Sequence, residues 1–224
     1  MLGGLCADDS RAAVALAVPF LIPIAADARH PHRAAALGVL SGPARARHFG
    51  VASRDELLLH RTDPQRHAPD DYDDYGVEVT GYPAGWSVAA ARAAITAEAP
   101  TLLSLLNGSA PAIRIDAAYT LATAADPDHT VRTGLATRLA TEHDAVVRAA
   151  LLLTAAETTR AHAHPPTVWW LRERWQDRTE APEVRLAAAI GWLCLTDEPA
   201  PEDLHQTLST LATDERTHTM DALP

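Results

Sequence analysis

The sequence predicts an all-α protein, built as an α-solenoid of stacked antiparallel helix pairs, and three observations support this fold class. Of the 224 residues, 47% are apolar but only 5% are aromatic, and alanine is the commonest residue. Small methyl side chains suit closely packed helices better than the core of a sheet. Apolar residues also recur at four-residue spacing, which keeps them on one helix face. Finally, an Ile/Val-Arg dipeptide recurs at intervals of 34 and 37 residues, a period typical of stacked helical hairpins.

An apolar run at residues 12–26 opens an irregular N-terminal helical part, which we place at residues 1–59. Its two prolines predict parts of two helices, because Pro19 is tolerated in a first turn whereas Pro23 would disturb a helix further in. The run is too short to span a bilayer. It also lacks the positive charge that precedes the apolar core of a signal peptide. We therefore expect a cytoplasmic protein with no membrane partner.

Two short helices complete the N-terminal part. The first, residues 34–40, is expected to end at Ser41-Gly42-Pro43. The second, residues 54–60, carries Asp55 and Glu56 in its first turn, where acidic side chains favour a helix start. Neither helix belongs to a regular pair, in contrast to the second half of the chain.

Residues 60–86 interrupt the helical pattern with an acidic and aromatic insertion that contains three of the four tyrosines. An aperiodic stretch of this length within a helical array is either a functional loop or a disordered one. Asp71, Asp73 and Gly76 fit three positions of a calcium-binding EF-hand loop. Tyr75 and Tyr82 occupy positions where that loop needs oxygen ligands, so we predict no metal there.

The second part of the insertion suits docking. From Gly76 to Gly81, two valines alternate with polar residues, which predicts a short extended segment. Tyr75, Tyr82 and Trp86 surround this segment. They either anchor the insertion on the helices or form an aromatic recognition surface, because such side chains combine a large contact area with a polar tip.

Residues 87–212 predict the regular helix pairs. Ser87 is expected to cap a helix at 88–97, and Ala99-Pro100 opens another at 101–106, which Asn107-Gly108 ends. Three repeats follow, with turns at 125–128, 159–166 and 196–199. The apolar faces of their first helices are Ile113, Ala117 and Leu121, then Val147, Leu151 and Ala155, then Val184, Ala188 and Trp192. Their second helices are expected at about 130–139, 167–176 and 201–211, and residues 213–224 form a polar tail.

The Ile/Val-Arg helices, each followed by a pair of alanines, resemble HEAT repeats and the HEAT-like repeats first associated with phycobilin lyases. The resemblance implies the fold and carries no activity. The stretch from Tyr75 to Ser87 is also similar to a segment of uncharacterised actinobacterial HEAT-repeat proteins. Chains in that group begin further upstream, which would make Met1 an internal start or a fragment boundary.

The repeat arginines Arg114, Arg148 and Arg185 are predicted to be structural. They stand near the starts of the three first helices, and we expect them to pair with acidic groups of adjacent repeats, forming a ladder between layers. The dipeptides that contain them are Ile113-Arg114, Val147-Arg148 and Val184-Arg185.

A tryptophan-rich stretch at residues 168–175 is the second candidate for partner binding. Val168, Leu171 and Trp175 share one helix face and are expected in the core. Trp169, Trp170 and Arg172 are expected to reach the groove lined by the second helices, since solenoids commonly bind partners on their concave surface.

No metal, cofactor or catalytic motif is predicted. The pairs His30-x-His32 and His162-x-His164 lack a nearby acidic or cysteine ligand at fixed spacing. Cys6 and Cys194 are far apart and are expected to be reduced thiols. The sequence contains no Gly-rich phosphate loop, no Gly-x-Ser-x-Gly elbow and no His-Glu-x-x-His motif.

A non-enzymatic scaffold that binds another protein is therefore the leading expectation. The net charge of −10 opposes a phosphate backbone, so we expect no nucleic acid, and it favours a basic protein partner. The alternative is an enzyme, because HEAT-like folds include DNA glycosylases and bilin lyases. Such an enzyme would use the 169–175 region and its flank, where suitable residue types are Trp169, Trp170, Arg172, Arg174 and Asp177. The net charge argues against that use.

Overall fold

The computed structural model describes residues 11–44, 86–125, 129–162, 165–196 and 198–211. These residues form ten helices and no strand, so this part of the protein is all-α, as predicted. The helices are α1 (Arg11–Ala26), α2 (Arg33–Ala44), α3 (Trp86–Ala97), α4 (Ala99–Leu105), α5 (Pro111–Leu121), α6 (Thr130–Thr141), α7 (Ala145–His162), α8 (Pro165–Gln176), α9 (Pro182–Leu195) and α10 (Glu202–Leu211). The predicted helix at 54–60, the insertion up to residue 85 and the tail at 213–224 lie outside the described residues.

α1 is one continuous helix, so the predicted division into parts of two helices is wrong. Pro19 and Pro23 both lie inside it, and both are exposed. A proline leaves the carbonyl four residues earlier without its helical donor, but on an exposed face water can hydrate that carbonyl. Val18 and Ile22 are fully buried. Their burial stabilises the helix more than the missing hydrogen bonds weaken it.

α2 continues to Ala44, so the stop predicted at Ser41-Gly42-Pro43 is also wrong. Leu37 and Leu40 are fully buried, and α2 contacts both α1 and α3. These tertiary contacts outweigh the poor helix propensity of glycine and proline in the last turn. None of the helices in the described ranges combines the length and apolarity needed to cross a membrane.

α7 and α8 are separated by only residues 163 and 164, whereas the sequence predicted a turn over 159–166. The helix continues because Thr158 and Thr159 are buried inside α7. The Thr158 hydroxyl donates to the Thr154 carbonyl at 2.9 Å, which satisfies a polar group that would otherwise be buried alone. Pro165 opens α8 at a position where its missing N–H costs nothing.

The other helix ends agree with the sequence to within a few residues. α3 begins at Trp86, so Ser87 lies in its first turn instead of capping it. After α4, the Gly108 amide donates to the Leu105 carbonyl at 3.0 Å and closes the helix near the predicted Asn107-Gly108 end. α10 begins at Glu202, one residue after its predicted start.

The first helices of the three predicted repeats are neighbours, because α7 contacts both α5 and α9. Most of the apolar face predicted for them is buried between these helices and their partners. Ala155 is only half-buried. The buried members are Ile113, Ala117, Leu121, Val147, Leu151, Val184, Ala188 and Trp192.

Buried apolar side chains form two clusters that meet at α7. The first extends from α1 to α7 and includes Leu151, and the second extends from α7 to α10 and includes Leu152. The second helices α6 and α8 both pack on α7. α7 is therefore the helix on which both halves of the core, and both neighbouring second helices, depend.

Candidate functional site

A groove of about 410 Å³ lies between α6 and α8, over α7. This volume is in the range of pockets that bind small molecules or peptide side chains. The lining is mostly apolar, with Leu135 and Leu139 on α6, Leu152 on α7 and Trp170 on α8. Leu135 and Leu152 are almost fully buried, whereas Leu139 and Trp170 are half-buried. The groove therefore has an aliphatic base and a more accessible rim.

Three arginines also line the groove: Arg132 on α6, Arg148 on α7 and Arg174 on α8. Arg132 contacts the ring of His129. The Arg174 guanidinium lies 5.7 Å from the centre of the Trp170 ring, within the range of a cation–π interaction. Arg148 and Arg174 both bind the carboxylate of Glu180.

Glu180 belongs to one of two similar ion clusters, which we call clamps. The first clamp consists of Arg114, Glu142 and Arg138, and the second of Arg148, Glu180 and Arg174. In each clamp, a glutamate lies just before a first helix of a repeat, α7 or α9. It binds the repeat arginine of the first helix before that one, α5 or α7. It also binds an arginine of the intervening second helix. Each clamp thus joins three successive elements of the chain.

The first clamp is buried and fully bonded. Arg114 Nε and Nη2 donate to Glu142 at 2.8 and 3.3 Å, and Arg138 Nη2 donates at 2.6 Å. The amides of His143 and Asp144 each donate to Glu142 Oε1 at 3.0 Å. Burial alone would raise the pKa of Glu142. The hydrogen bonds from Arg138, the Asp144 amide and Arg114 outweigh it and lower the pKa from 4.5 to about 2.

Arg114 has further partners outside the carboxylate. Its Nη1 donates to the Gly108 carbonyl at 2.9 Å and to the Ser109 carbonyl at 3.1 Å. Every nitrogen of this guanidinium therefore has an acceptor. Only 8% of the Arg114 side chain is exposed, so the group is held inside the protein by these bonds.

The second clamp is more open. Arg148 Nη1 and Nη2 bind Glu180 at 2.9 and 3.0 Å, and Arg174 Nη1 donates to the same carboxylate. The Arg174 side chain is 39% exposed, against 19% for its counterpart Arg138. Arg148 Nε is buried and has no hydrogen-bond partner. Burial raises the pKa of Glu180, but the bonds from Arg148 and Arg174 outweigh it and hold the pKa below its usual value.

The third repeat arginine differs from the other two. Arg185 Nε donates to the backbone carbonyl of Trp175 at 3.1 Å. In the part of the chain that the structure describes, this is a bond to the end of α8 and not to a carboxylate. Arg185 therefore joins α9 to the helix that precedes it in the chain, α8.

The tryptophan-rich helix presents Trp170 to the groove. Trp169 is 64% exposed and Arg172 is exposed, and neither lines the groove, in contrast to the expectation from the sequence. Leu171 and Trp175 are buried as expected, and this fixes the rotation of α8. Trp170 and Arg174, one turn apart, consequently share the face toward α6.

The remaining candidates for partner binding are the aromatic residues of the insertion, Tyr75, Tyr82 and Trp86. Tyr75 and Tyr82 lie outside the described residues. Trp86 begins α3, but its side chain is not described. The rings of His30 and His32 lie edge to face, with their centroids 5.8 Å apart. Across the described ranges, no three potential ligands among His, Cys, Asp and Glu come together as a metal site.

Sequence reasoning missed four members of the site. Glu142 and Glu180 could have been found, because they stand six and five positions before Arg148 and Arg185. A carboxylate at this repeated position, just before a first helix, is a periodic signal. Arg138 and Arg132 carry no such signal, because their roles depend on how α6 is rotated against α7.

Comparison with known proteins identifies no relative of this chain. No protein-family model matches it, and searches of curated proteins and of solved structures gave no match either. Its function must therefore be argued from the groove and the clamps themselves.

Proposed function

We propose that this protein is a non-enzymatic, HEAT-like α-solenoid scaffold in the cytoplasm, and that it binds another protein in the groove between α6 and α8. The observation that carries the proposal is the groove itself. It combines an aliphatic base, a tryptophan and arginines at a place where two second helices flank a first helix. Tryptophan and arginine are the side chains most enriched among residues that dominate protein interfaces.

The contacts between helices support the solenoid part of the proposal. α5, α7 and α9 follow one another as neighbours. The two clamps repeat one arrangement, in which Arg114 binds Glu142 and Arg148 binds Glu180. A bond that recurs at the same place in successive units is expected when each unit contacts only its neighbours.

The charge of the chain acts at a different range from the groove. The net charge of −10 would attract a basic partner surface over long distances, which raises the rate of encounter. Contacts inside the groove depend instead on the apolar lining and on the arginines. A basic partner surface and a groove-binding segment of other chemistry are therefore compatible.

Selection from a random peptide library displayed on phage tests the binding site. We expect wild-type protein to enrich peptides that bind with micromolar Kd. Trp170→Ala should weaken them by about tenfold or more, the effect of losing a dominant interface residue. Trp169→Ala is the matched control, because Trp169 adjoins Trp170 but does not line the groove. It should change Kd by less than about twofold.

Two results would overturn the proposal. One is that no peptide is enriched above an unrelated helical protein. The other is that the enriched peptides bind wild type and Trp170→Ala equally well while both remain folded by circular dichroism.

A further inference from the structure

We propose that the groove recognises a segment with a carboxylate beside an aliphatic side chain. The carboxylate binds at the Arg148 and Arg174 end, and the aliphatic group lies on Leu135, Leu139 and Leu152. This inference rests on the proposed function, since it specifies the chemistry of the protein segment that occupies the same groove.

The comparison between the two clamps is the first argument. Both hold one carboxylate between two arginines, but the arginines of the second clamp line the groove between α6 and α8, whereas those of the first clamp lie outside it. In the first clamp, every nitrogen of Arg114 has an acceptor. In the second, Arg148 Nε has none, and Arg174 is about twice as exposed as Arg138. The two clamps therefore differ: Arg114 is fully hydrogen-bonded, whereas Arg148 has an unpaired Nε and Arg174 is more accessible to solvent than Arg138.

Charge is the second argument. The second clamp places two guanidinium groups against a single carboxylate, which leaves one positive charge at the edge of an apolar groove. Only 24% of the Arg148 side chain is exposed, so solvent screens its attraction for an anion less than it screens that of Arg174, which is 39% exposed. A guanidinium binds carboxylates in a planar two-point geometry, so Arg174 suits an incoming carboxylate better than a lysine would.

The apolar lining is the third argument. Leu135 and Leu152 form the base of the groove. A polar side chain placed on this base would lose its hydrogen bonds to water, whereas an apolar side chain would not. Trp170 stands beside Arg174 at the rim. A segment that carries the two groups close together would therefore satisfy both ends of the groove.

A nucleic acid strand fits this groove less well than a peptide. It carries a negative charge on every nucleotide and needs a continuous basic surface. Glu173 and Asp177 flank Arg174 in an adjacent depression of the surface. The hydrogen bonds that Asp177 accepts from Thr179 lower its pKa, which keeps it charged. A peptide can place one carboxylate at the clamp and neutral residues beside these acids.

Three focused display libraries test the inference. They share the same leucine and randomised positions and differ in one fixed residue: glutamate, glutamine or lysine. We expect wild-type protein to enrich the glutamate library and its best peptide to bind at least about tenfold tighter than the glutamine analogue. Arg174→Gln should remove that preference. Arg138→Gln is the matched control, because it takes the corresponding arginine from the first clamp, outside the groove.

The outcomes separate this inference from the proposed function. If no library is enriched, both are wrong. If the glutamine or lysine library is enriched equally or better, the groove binds peptides but the inference is wrong. If a labelled single-stranded oligonucleotide binds as tightly as the glutamate peptide, and Arg174→Gln weakens that binding, the groove is a nucleic-acid site and the inference is again wrong.

Arg174→Lys keeps the charge and tests the two-point geometry should Arg174→Gln fail to fold. Loss of at least half the glutamate preference in this variant supports the inference, and full retention contradicts it.

Discussion

Replacing Glu142 by glutamine should destabilise the protein far more than removing an exposed carboxylate. Glu142 accepts hydrogen bonds from two arginines and two backbone amides, and only 3% of its side chain is exposed. Glutamine has nearly the same shape, so the packing is retained. Its NH₂ group, however, cannot accept a hydrogen bond, and it would face arginine donors. The variant therefore leaves the buried guanidinium of Arg114 and the partly buried guanidinium of Arg138 without a counter-charge.

Two estimates of the magnitude agree. The pKa of Glu142 falls from 4.5 to about 2 on folding, and at about 1.4 kcal/mol for each pKa unit this corresponds to at most roughly 3.5 kcal/mol. Removing one partner of a buried ion pair costs about 3–5 kcal/mol in general. We therefore expect Glu142→Gln to lower the free energy of unfolding by about 3 kcal/mol at pH 7.

Urea unfolding followed by circular dichroism measures this loss. Glu173→Gln, on an exposed position of α8, removes the same charge and should change stability by less than about 0.5 kcal/mol. The folded pKa of Glu142 lies below its ordinary value, so its stabilisation is complete above pH 4.5 and declines as pH falls toward about 2. The difference between wild type and Glu142→Gln should shrink over that interval. A loss of under about 1 kcal/mol at pH 7, or a difference independent of pH, would refute the reasoning.

Two further predictions concern the second clamp and the glycines. Glu180→Gln should cost only about 1–2 kcal/mol in urea unfolding, because solvent screens the half-exposed Arg174; a loss equal to that of Glu142→Gln would contradict the difference between the clamps. Gly191→Ala should cost about 1–3 kcal/mol, since its Cβ would lie 3.0 Å from the Ala156 Cβ in the core. Gly38→Ala meets nothing within 4 Å on an exposed helix face and should stabilise by about 0.5–1 kcal/mol. Thermal melting of both glycine variants checks the opposite signs, and a shared sign would show that contact at the added methyl is not decisive.

The helices could be predicted from the sequence because apolar residues recur in it at helical spacing, but their ends could not all be predicted. The local propensity of Pro19 and Pro23 predicts a break in the helix. α1 nevertheless accommodates both prolines because both face solvent. The stretch after Thr158 is polar and reads as a turn, yet its threonines are buried in α7. In both places, whether the helix continues depends on the tertiary surroundings of a residue. A local sequence pattern carries no information about those surroundings.

The groove shows the same limit more sharply. Successive residues on a helix point about 100° apart, so the sequence could place Trp169 and Trp170 in one candidate stretch without choosing between them. Burial of Leu171 and Trp175 fixes the rotation of α8, and this assigns Trp170 to the groove and Trp169 to solvent. Arg132 and Arg138 of α6 were missed for the same reason.

The clamps also determine where this chain can be divided. α6 ends at Thr141, but the carboxylate that binds Arg114 and Arg138 comes next, at Glu142. A fragment that stops at the end of α6 would keep two inward-facing cations and lose their anion. The unit that can be deleted, duplicated or grafted is therefore not the pair of helices alone. It also includes the glutamate that follows the second helix. Boundaries drawn after Glu142 or Glu180 keep each carboxylate with the two arginines that it binds, whereas boundaries drawn at the helix ends separate them.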